Sequence, residues 1–599
     1  MTPDQKIEWL ISSGGLDDVG TRHESRQLIS RTYPDATTQT RQRLIQAIKD
    51  VFASGEMESG EPSDNDRKIY DWFDVLLGAD PDCELAQTAF QELQTRYPEW
   101  EPWDEPALPF HVEGPYWVRD VSPWAVEDLL SRPAAELVNE VLDFKPSPWG
   151  TPIDRDRMEE ENAAKAVREV ATRDVSKGLN VANELVRREV WQQVLWRELL
   201  EAWKESELNE QQYSQVLTLL HSPKLFDKNG KGITDLLLTL VRNGGKQYAM
   251  RLMPTAKSLA LSIWNESKNS KSWILSETDW FTLALNSNAG LVVRFWLSAM
   301  WVESERGKKR IGRFNEDDRQ FFDSVVEDSD MRGKLGQAML ATHIGYLLSF
   351  DYDWTTKRLL PLFDPEHASF VPAWHGFTWG QLRSDVGELM KPKFLSAVEN
   401  IHRFEHVGVP SRRSEFVRRY ANMMVYNIDE PLIKWAPELF KNGDDVDRYT
   451  FAWEIGRILE NMADAQKIEL WHRWLRRYWQ NRLSGVPRPL EKMEVEEMLR
   501  WPKDLQVVFD EAVKLTVRMP SANLELMRIS KDYVDEELAR RFPSGSAQLL
   551  EYLDRIEPNT GDWDGIENVI DVLTTSHLDT ALKEKVKDIG VRRVVGVAV

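Results

Sequence analysis

Apolar residues recur with a period near 3.6 along almost the whole chain, and this feature restricts the fold to packed helices. After Thr40, the positions Leu44, Ile45, Ile48, Val51 and Phe52 form one such stripe. Comparable stripes run through residues 69–77, 85–93, 186–203, 211–220, 335–348, 394–404, 451–462 and 495–513. Strand-like alternation is scarce. Only residues 591–599 are β-branched enough to read as a short strand, with a frayed tail as the other reading. Proline separates the stripes at Pro81, Pro133, Pro487, Pro489 and Pro520, as it does at helix starts and just past helix ends. Asp64 precedes one stripe and is placed to cap its helix. The breaker-rich stretches 55–64, 98–121 and 307–315 read as loops.

At 599 residues the chain exceeds the roughly 250–300 residues at which one core stops growing. It must divide into domains or stack units that bury a face against their neighbours. Three short motifs favour stacking. Arg31-Thr32-Tyr33-Pro34, Arg96-Tyr97-Pro98 and Arg541-Phe542-Pro543 each set an aromatic residue and then proline at the end of a stripe. A helical hairpin of about 30–45 residues needs that punctuation. The fold expected is all-α, a helical-repeat solenoid of HEAT-like or TPR-like character, with irregular helical packing as the alternative. The expected divisions are N-terminal repeats over 1–110, two helical regions over 111–305 and 306–486, and a C-terminal helical region over 487–599.

Hydrophobic residues at 42% and charged residues at 29% describe a folded chain rather than a disordered one. Cys83 is the only cysteine, which excludes an internal disulfide and suits a reducing, cytoplasmic setting. The N-terminus has no basic region followed by an apolar run, so no signal peptide is expected. The most apolar stretch, 291–302, is short and carries Arg294, so it reads as a buried helix rather than a membrane span. A net charge of −22 repels polyphosphate at long range and disfavours nucleic acid as a partner. The 25 tryptophans suit a core in which a few large rings fill each contact between helices.

Candidate chemistry is sparse. His402, Glu405 and His406 have the H-x-x-E-H spacing, in which two imidazoles one helical turn apart bind zinc and the glutamate activates water. No downstream residue stands out as the third ligand, and the ordinary reading is two surface histidines near a helix end. The run Asp227-Lys228-Asn229-Gly230-Lys231-Gly232 begins like a calcium loop. Lys231 and Leu238 replace two oxygen ligands, which leaves a turn. Residues 15–21 have phosphate-loop spacing without the lysine. Cys83, with no histidine nearby, reads as a small buried residue. Trp471, Trp474, Leu475, Tyr478 and Trp479 fall on one helix face and read as core, leaving Arg473, Arg476 and Arg477 in water. Arg306, Lys308, Lys309, Arg310 and Arg313 form the densest basic cluster. Its ordinary reading is a solvated turn, and its functional reading is a contact with an acidic partner.

Residues 295–301, 471–482 and above all 487–501 resemble the helical C-terminal region, a domain of unknown function, of bacterial antiphage defence proteins that carry a sirtuin-like NAD-consuming domain. The similarity in rhythm extends from about Pro123 to Leu553. It implies a helical scaffold or sensor that recognises a phage component or regulates a separate effector, this chain being a fragment or a separately encoded partner. It assigns no catalytic residue and no cofactor here. The partners expected are an effector enzyme or phage protein, and a second copy of the chain remains open. A zinc hydrolase using His402, Glu405 and His406 and a nucleic-acid-binding repeat protein are the alternatives.

Overall fold

The computed structural model describes residues 2–12, 16, 22–52, 64–97, 100, 124–144, 152–242, 247–267, 279–306, 313–404, 411–520, 532–556, 563 and 565–595. Among them every regular element is helical, so the all-α expectation holds. None of these helices is long and apolar enough to cross a membrane.

The chain divides into two compact units, Met1–Asp120 and Val121–Val599. In the first, α1 (Pro3–Ser12), α2 (Arg22–Thr32), α3 (Thr38–Phe52), α4 (Asp64–Ala79) and α5 (Glu84–Arg96) surround Ile7, Tyr33, Leu44, Ile48, Trp72 and Phe73. Cys83 is buried at the start of α5, its sulfur 3.3 Å from the Tyr33 hydroxyl. Asp64 opens α4 as its first residue rather than standing before it.

The second unit continues with α6 (Val126–Ser131), α7 (Ala134–Leu142), α8 (Pro152–Arg173), α9 (Val175–Arg187), α10 (Gln193–Glu205), α11 (Glu210–Leu219), α12 (Pro223–Arg242) and α13 (Gln247–Glu266). Next come α14 (Trp280–Leu285), α15 (Asn288–Arg306), α16 (Glu316–Glu327), α17 (Met331–Thr342), α18 (Ile344–Phe350) and α19 (Tyr352–Trp354). A π-helical turn, Thr355–Leu359, leads to α20 (Phe370–Trp379), α21 (Ser384–Glu399), α22 (Arg412–Tyr426), α23 (Trp435–Asn442) and α24 (Asp445–Asn461). Then follow α25 (Asp464–Leu470), a second π turn (Trp471–Leu475), α26 (Arg476–Leu483), α27 (Lys492–Met498), α28 (Trp501–Asp504) and α29 (Phe509–Thr516). Beyond α29 the described residues form the helices Glu536–Arg541, Pro543–Ile556, Ile566–Thr575 and Thr580–Gly590.

Helices α8, α10, α12, α15, α17, α20, α22, α24 and α27 pack as one row, each on the next. Helices α7, α9, α11 and α13 form a second row beside its beginning. The row helices start at Pro152, Gln193, Pro223, Asn288, Met331, Phe370, Arg412, Asp445 and Lys492, so the unit length is uneven. Short helices and π turns interrupt the stack, and the packing is irregular rather than a uniform repeat. One apolar core runs through the unit and continues across residues 305/306 and 486/487. Trp196, Trp203, Trp264, Trp374, Trp471, Trp474, Trp479 and Trp501 are fully buried in it.

Local structure departs from the stripes where a turn keeps their phase. Residues 186–203 break after α9, where Glu189 has φ 57° and the chain re-enters as α10. Residues 335–348 break at His343, and 495–513 are divided among three α-helices and a 3-10 turn, Gln506–Val508. Both sides of each turn face the same core, so the apolar spacing continues through it. The aromatic-proline motifs behave as expected. Tyr33, Tyr97 and Phe542 each follow a helix and donate their N–H to the carbonyls of Ile29, Leu93 and Leu538.

Two readings are corrected. Residues 227–232 are not a turn but part of α12, because Leu225, Phe226, Ile233 and Leu236 bury the helix on either side. Gly230 is held there by close packing: a Cβ would meet the Asn288 side chain at 2.4 Å. Tertiary burial outweighs the poor helix propensity of Asn229 and Gly230. Val591–Val595 is not a strand either. It is a π-helical extension of Thr580–Gly590, in which Arg593 lies 4.3 Å over Trp563 and bonds Asp554.

Candidate functional site

Phe314 packs against Phe322, Phe350 and Trp354 at centroid separations of 5.1, 5.5 and 5.1 Å, which fixes the chain just before α16 and with it Arg313. Asn315 then caps α16 by accepting the Asp318 N–H at 2.8 Å. On the next face of α16, Arg319 and Asp323 lie one turn apart. Opposite them stands Trp354 at the end of α19, followed by the π turn that carries Lys357 and Arg358. A π turn is rare and concentrates at functional sites.

Asp351, only 1% exposed, ties these pieces together. One carboxylate oxygen accepts the N–H of Phe314 at 3.1 Å and a guanidinium N–H of Arg319 at 3.3 Å. The other caps α19 by accepting the Trp354 N–H at 3.0 Å. Asp323 completes the frame, accepting the Trp354 indole N–H and the Arg358 Nε–H, both at 2.9 Å. Arg358 also pairs with Glu327. Glu327 and Asp323 together raise its pKa, which keeps the guanidinium charged.

The result is a cleft of about 320 Å³ lined by Arg313, Arg319, Lys357, Arg358, Asp323, Asp353 and Trp354. Four cations face two carboxylates. Arg319 and Arg358 are committed to carboxylates, whereas Arg313 and Lys357 have no carboxylate partner among the described residues. Lys357 and Arg358 also border a neighbouring recess of about 340 Å³ that includes Glu327, Leu362, His367 and Ser369. Two uncommitted cations beside a fixed indole give a place where an anionic group exchanges water for charge-assisted hydrogen bonds.

The predicted basic cluster is thus placed only in part. Arg313 reaches the cleft; Arg306 ends α15, and Lys308, Lys309 and Arg310 lie outside the described residues. Arg319, Lys357, Arg358 and Asp351 were missed. The one local signal for them is Trp354 with Lys357 and Arg358 at i+3 and i+4, a spacing common on any helix surface.

The H-x-x-E-H helix expected at His402 ends too early. α21 stops at Glu399, Asn400 follows it, and His402 is exposed on a 3-10 turn, Ile401–Arg403. Buried Ile401 and Phe404, with Arg403 4.5 Å over Phe370, hold that turn. Glu405 and His406 lie outside the described residues, as do residues 15 and 17–21 of the phosphate-loop-like run. Among the described residues no group of three or more His, Cys, Asp or Glu is arranged to hold a metal ion.

Trp471, Trp474, Leu475, Tyr478 and Trp479 are all buried, as their spacing requires. The arginines beside them are committed rather than simply solvated. Arg476 pairs with Glu511 at 3.4 Å and Arg477 with Glu430 at 2.8 Å, while Arg473 donates to the Val425 carbonyl. Arg482 is buried against Glu494.

A family model described as a domain of unknown function (DUF4020) matches residues 424–560. The match runs from the end of α22 through α29 and on through the helices Glu536–Arg541 and Pro543–Ile556, and includes the segments 471–482 and 487–501. No curated protein and no solved structure matches the chain. The C-terminal region is therefore similar to a family whose function is itself undescribed.

Proposed function

We propose that the chain is a non-catalytic helical interaction protein, a scaffold or sensor that docks an acidic segment of a protein partner in the cleft at Trp354. The observation that carries this reading is the cleft itself. In a chain of net charge −22, Arg313 and Lys357, which have no carboxylate partner among the described residues, share one opening with Arg319, Arg358 and the Trp354 indole. Long-range repulsion by the remaining surface makes such a site selective, because only a ligand that inserts its acidic group reaches the short-range donors. A compact cleft suits one or two carboxylates better than a run of phosphates.

The biological setting proposed is a bacterial antiphage defence complex, in which the chain recognises a phage component or regulates a separate effector, such as a sirtuin-like NAD-consuming enzyme. This rests on the resemblance of residues 295–301, 471–482 and 487–501. The test is crosslinking of the full-length chain in infected and uninfected host cells, beside the Arg313→Glu/Lys357→Glu double variant. The wild type should capture a specific partner and alter the course of infection, and the variant should lose at least tenfold of that capture. Equal capture by both chains, or no capture with infection unchanged, rules the reading out.

A further inference from the structure

α16 has a second lined face. Asp317, Gln320, Phe321 and Ser324, at i, i+3, i+4 and i+7, border a recess of about 510 Å³ whose opposite wall is one stripe of α13. That stripe runs from Pro254 to Asn265, about 16 Å of helix at 1.5 Å per residue. The floor is aromatic. Trp296 stacks on Phe321 at 4.0 Å, and Trp264 meets the same ring edge-on at 5.6 Å. Leu261 stands at the lip, 39% exposed.

The charges around this apolar floor do not cancel. Lys257, almost buried, donates to Glu303 at 2.7 Å and to Asp318 at 2.9 Å. Asp318 also accepts the Trp296 indole N–H at 2.7 Å. One ammonium between two carboxylates leaves one negative charge, and exposed Asp317 adds another. Arg332 sits 4.6 Å over Trp264 but is neutralised by Asp328 at 2.6 Å. Burial by itself lowers the Lys257 pKa. Asp318 and Glu303 outweigh it and raise the Lys257 pKa, so this accounting holds at neutral pH. Aromatic and aliphatic walls with a surplus of negative charge match a cation on a hydrocarbon stem.

We infer that the recess between α13 and α16 receives the side chain of an arginine or lysine from a basic segment of a protein partner. The stem lies against Leu261 and the ring edges, and the cationic head reaches Glu303 and Asp317. A protein source is favoured by the trough-like run of the wall along α13, and by a net charge of −22 that steers basic partners toward the chain. The inference rests on the reading of the chain as an interaction protein. It gives α16 docking sites of opposite sign on two faces.

The test is titration of the full-length chain with an acetylated, amidated Gly-Arg-Leu-Gly peptide and with its citrulline counterpart, which keeps the shape and removes the charge. Tryptophan fluorescence and calorimetry are the readouts. Saturable binding is expected, at least tenfold tighter for the arginine peptide. Asp317→Asn should weaken it several-fold, and Leu261→Arg, which places a guanidinium in the lip, should remove it while thermal unfolding stays unchanged. Arg313→Glu/Lys357→Glu should leave it intact, so a failure of the basic cleft and a failure of this recess are read separately. Equal binding of the two peptides, non-saturable binding, or full binding by Leu261→Arg overturns the inference. Agmatine binding more than tenfold tighter than the peptide overturns the assignment to a protein side chain.

Discussion

Arg482 and Glu494 are both completely removed from solvent, 2.5 Å apart, with the Arg482 guanidinium 4.5 Å from the Phe440 ring. Arg482 also donates to the carbonyls of Arg488 and Pro489, so one cation stitches α26 to the turn before α27. Removing one partner strands a buried charge. Glu494→Ala should therefore cost about 3–5 kcal/mol in denaturant unfolding, and Arg482→Leu/Glu494→Leu should recover part of it. A loss under 1 kcal/mol for the single variant would contradict this account. Asp504 shows the opposite imbalance. Burial, with Glu460 nearby, pushes its carboxyl up to about 6 from an ordinary 3.8. The folded state then holds the proton more tightly than the unfolded chain, so its contribution to stability is lost as pH rises from about 4 to about 6. Asp504→Asn should raise stability at pH 7 by up to about 3 kcal/mol and change nothing at pH 3. Paired melts at the two pH values check the sign.

At the scale of elements, the row of helices depends on a few points where backbones touch. Gly376 in α20 faces the Ala338 carbonyl of α17, and a Cβ there would lie 1.9 Å from that oxygen. The Thr342 hydroxyl reaches the Gly376 carbonyl at 3.0 Å across the same contact. Gly376→Ala must push two backbones apart and should cost about 2–3 kcal/mol or more, visible as a lowered Tm. Gly78 has nothing near its missing Cβ, so Gly78→Ala, late in α4, should be neutral or slightly stabilising in the same assay. Such contacts are not legible in sequence, where Gly376 looks like any glycine in an apolar run. The Trp471–Trp479 stripe was legible, because five large side chains at helical spacing have no other way to leave water together.

At the scale of the molecule, the two hydrophobic cores share no residue among the described ones. The first uses side chains up to Trp100 and the second begins at Trp124. Residues 121–599 expressed alone should keep their helical circular dichroism and unfold cooperatively, and the full chain should show two calorimetric transitions. A single transition that vanishes when residues 1–120 are removed would show that the cores are coupled.

The amino-acid order by itself determined that the chain is helical, where the aromatic-proline stops fall and that Trp471, Trp474 and Trp479 are buried. Those follow from local period and from the cost of leaving large rings in water. Three-dimensional packing decided the rest. It made 227–232 a helix, ended α21 before His402, and split long stripes with turns that hold their phase. It also joined Arg313 to Arg319, Lys357 and Arg358 through Asp351. Such a site depends on contacts between residues about 30 to 40 positions apart, and periodicity carries no information about which faces of different helices meet.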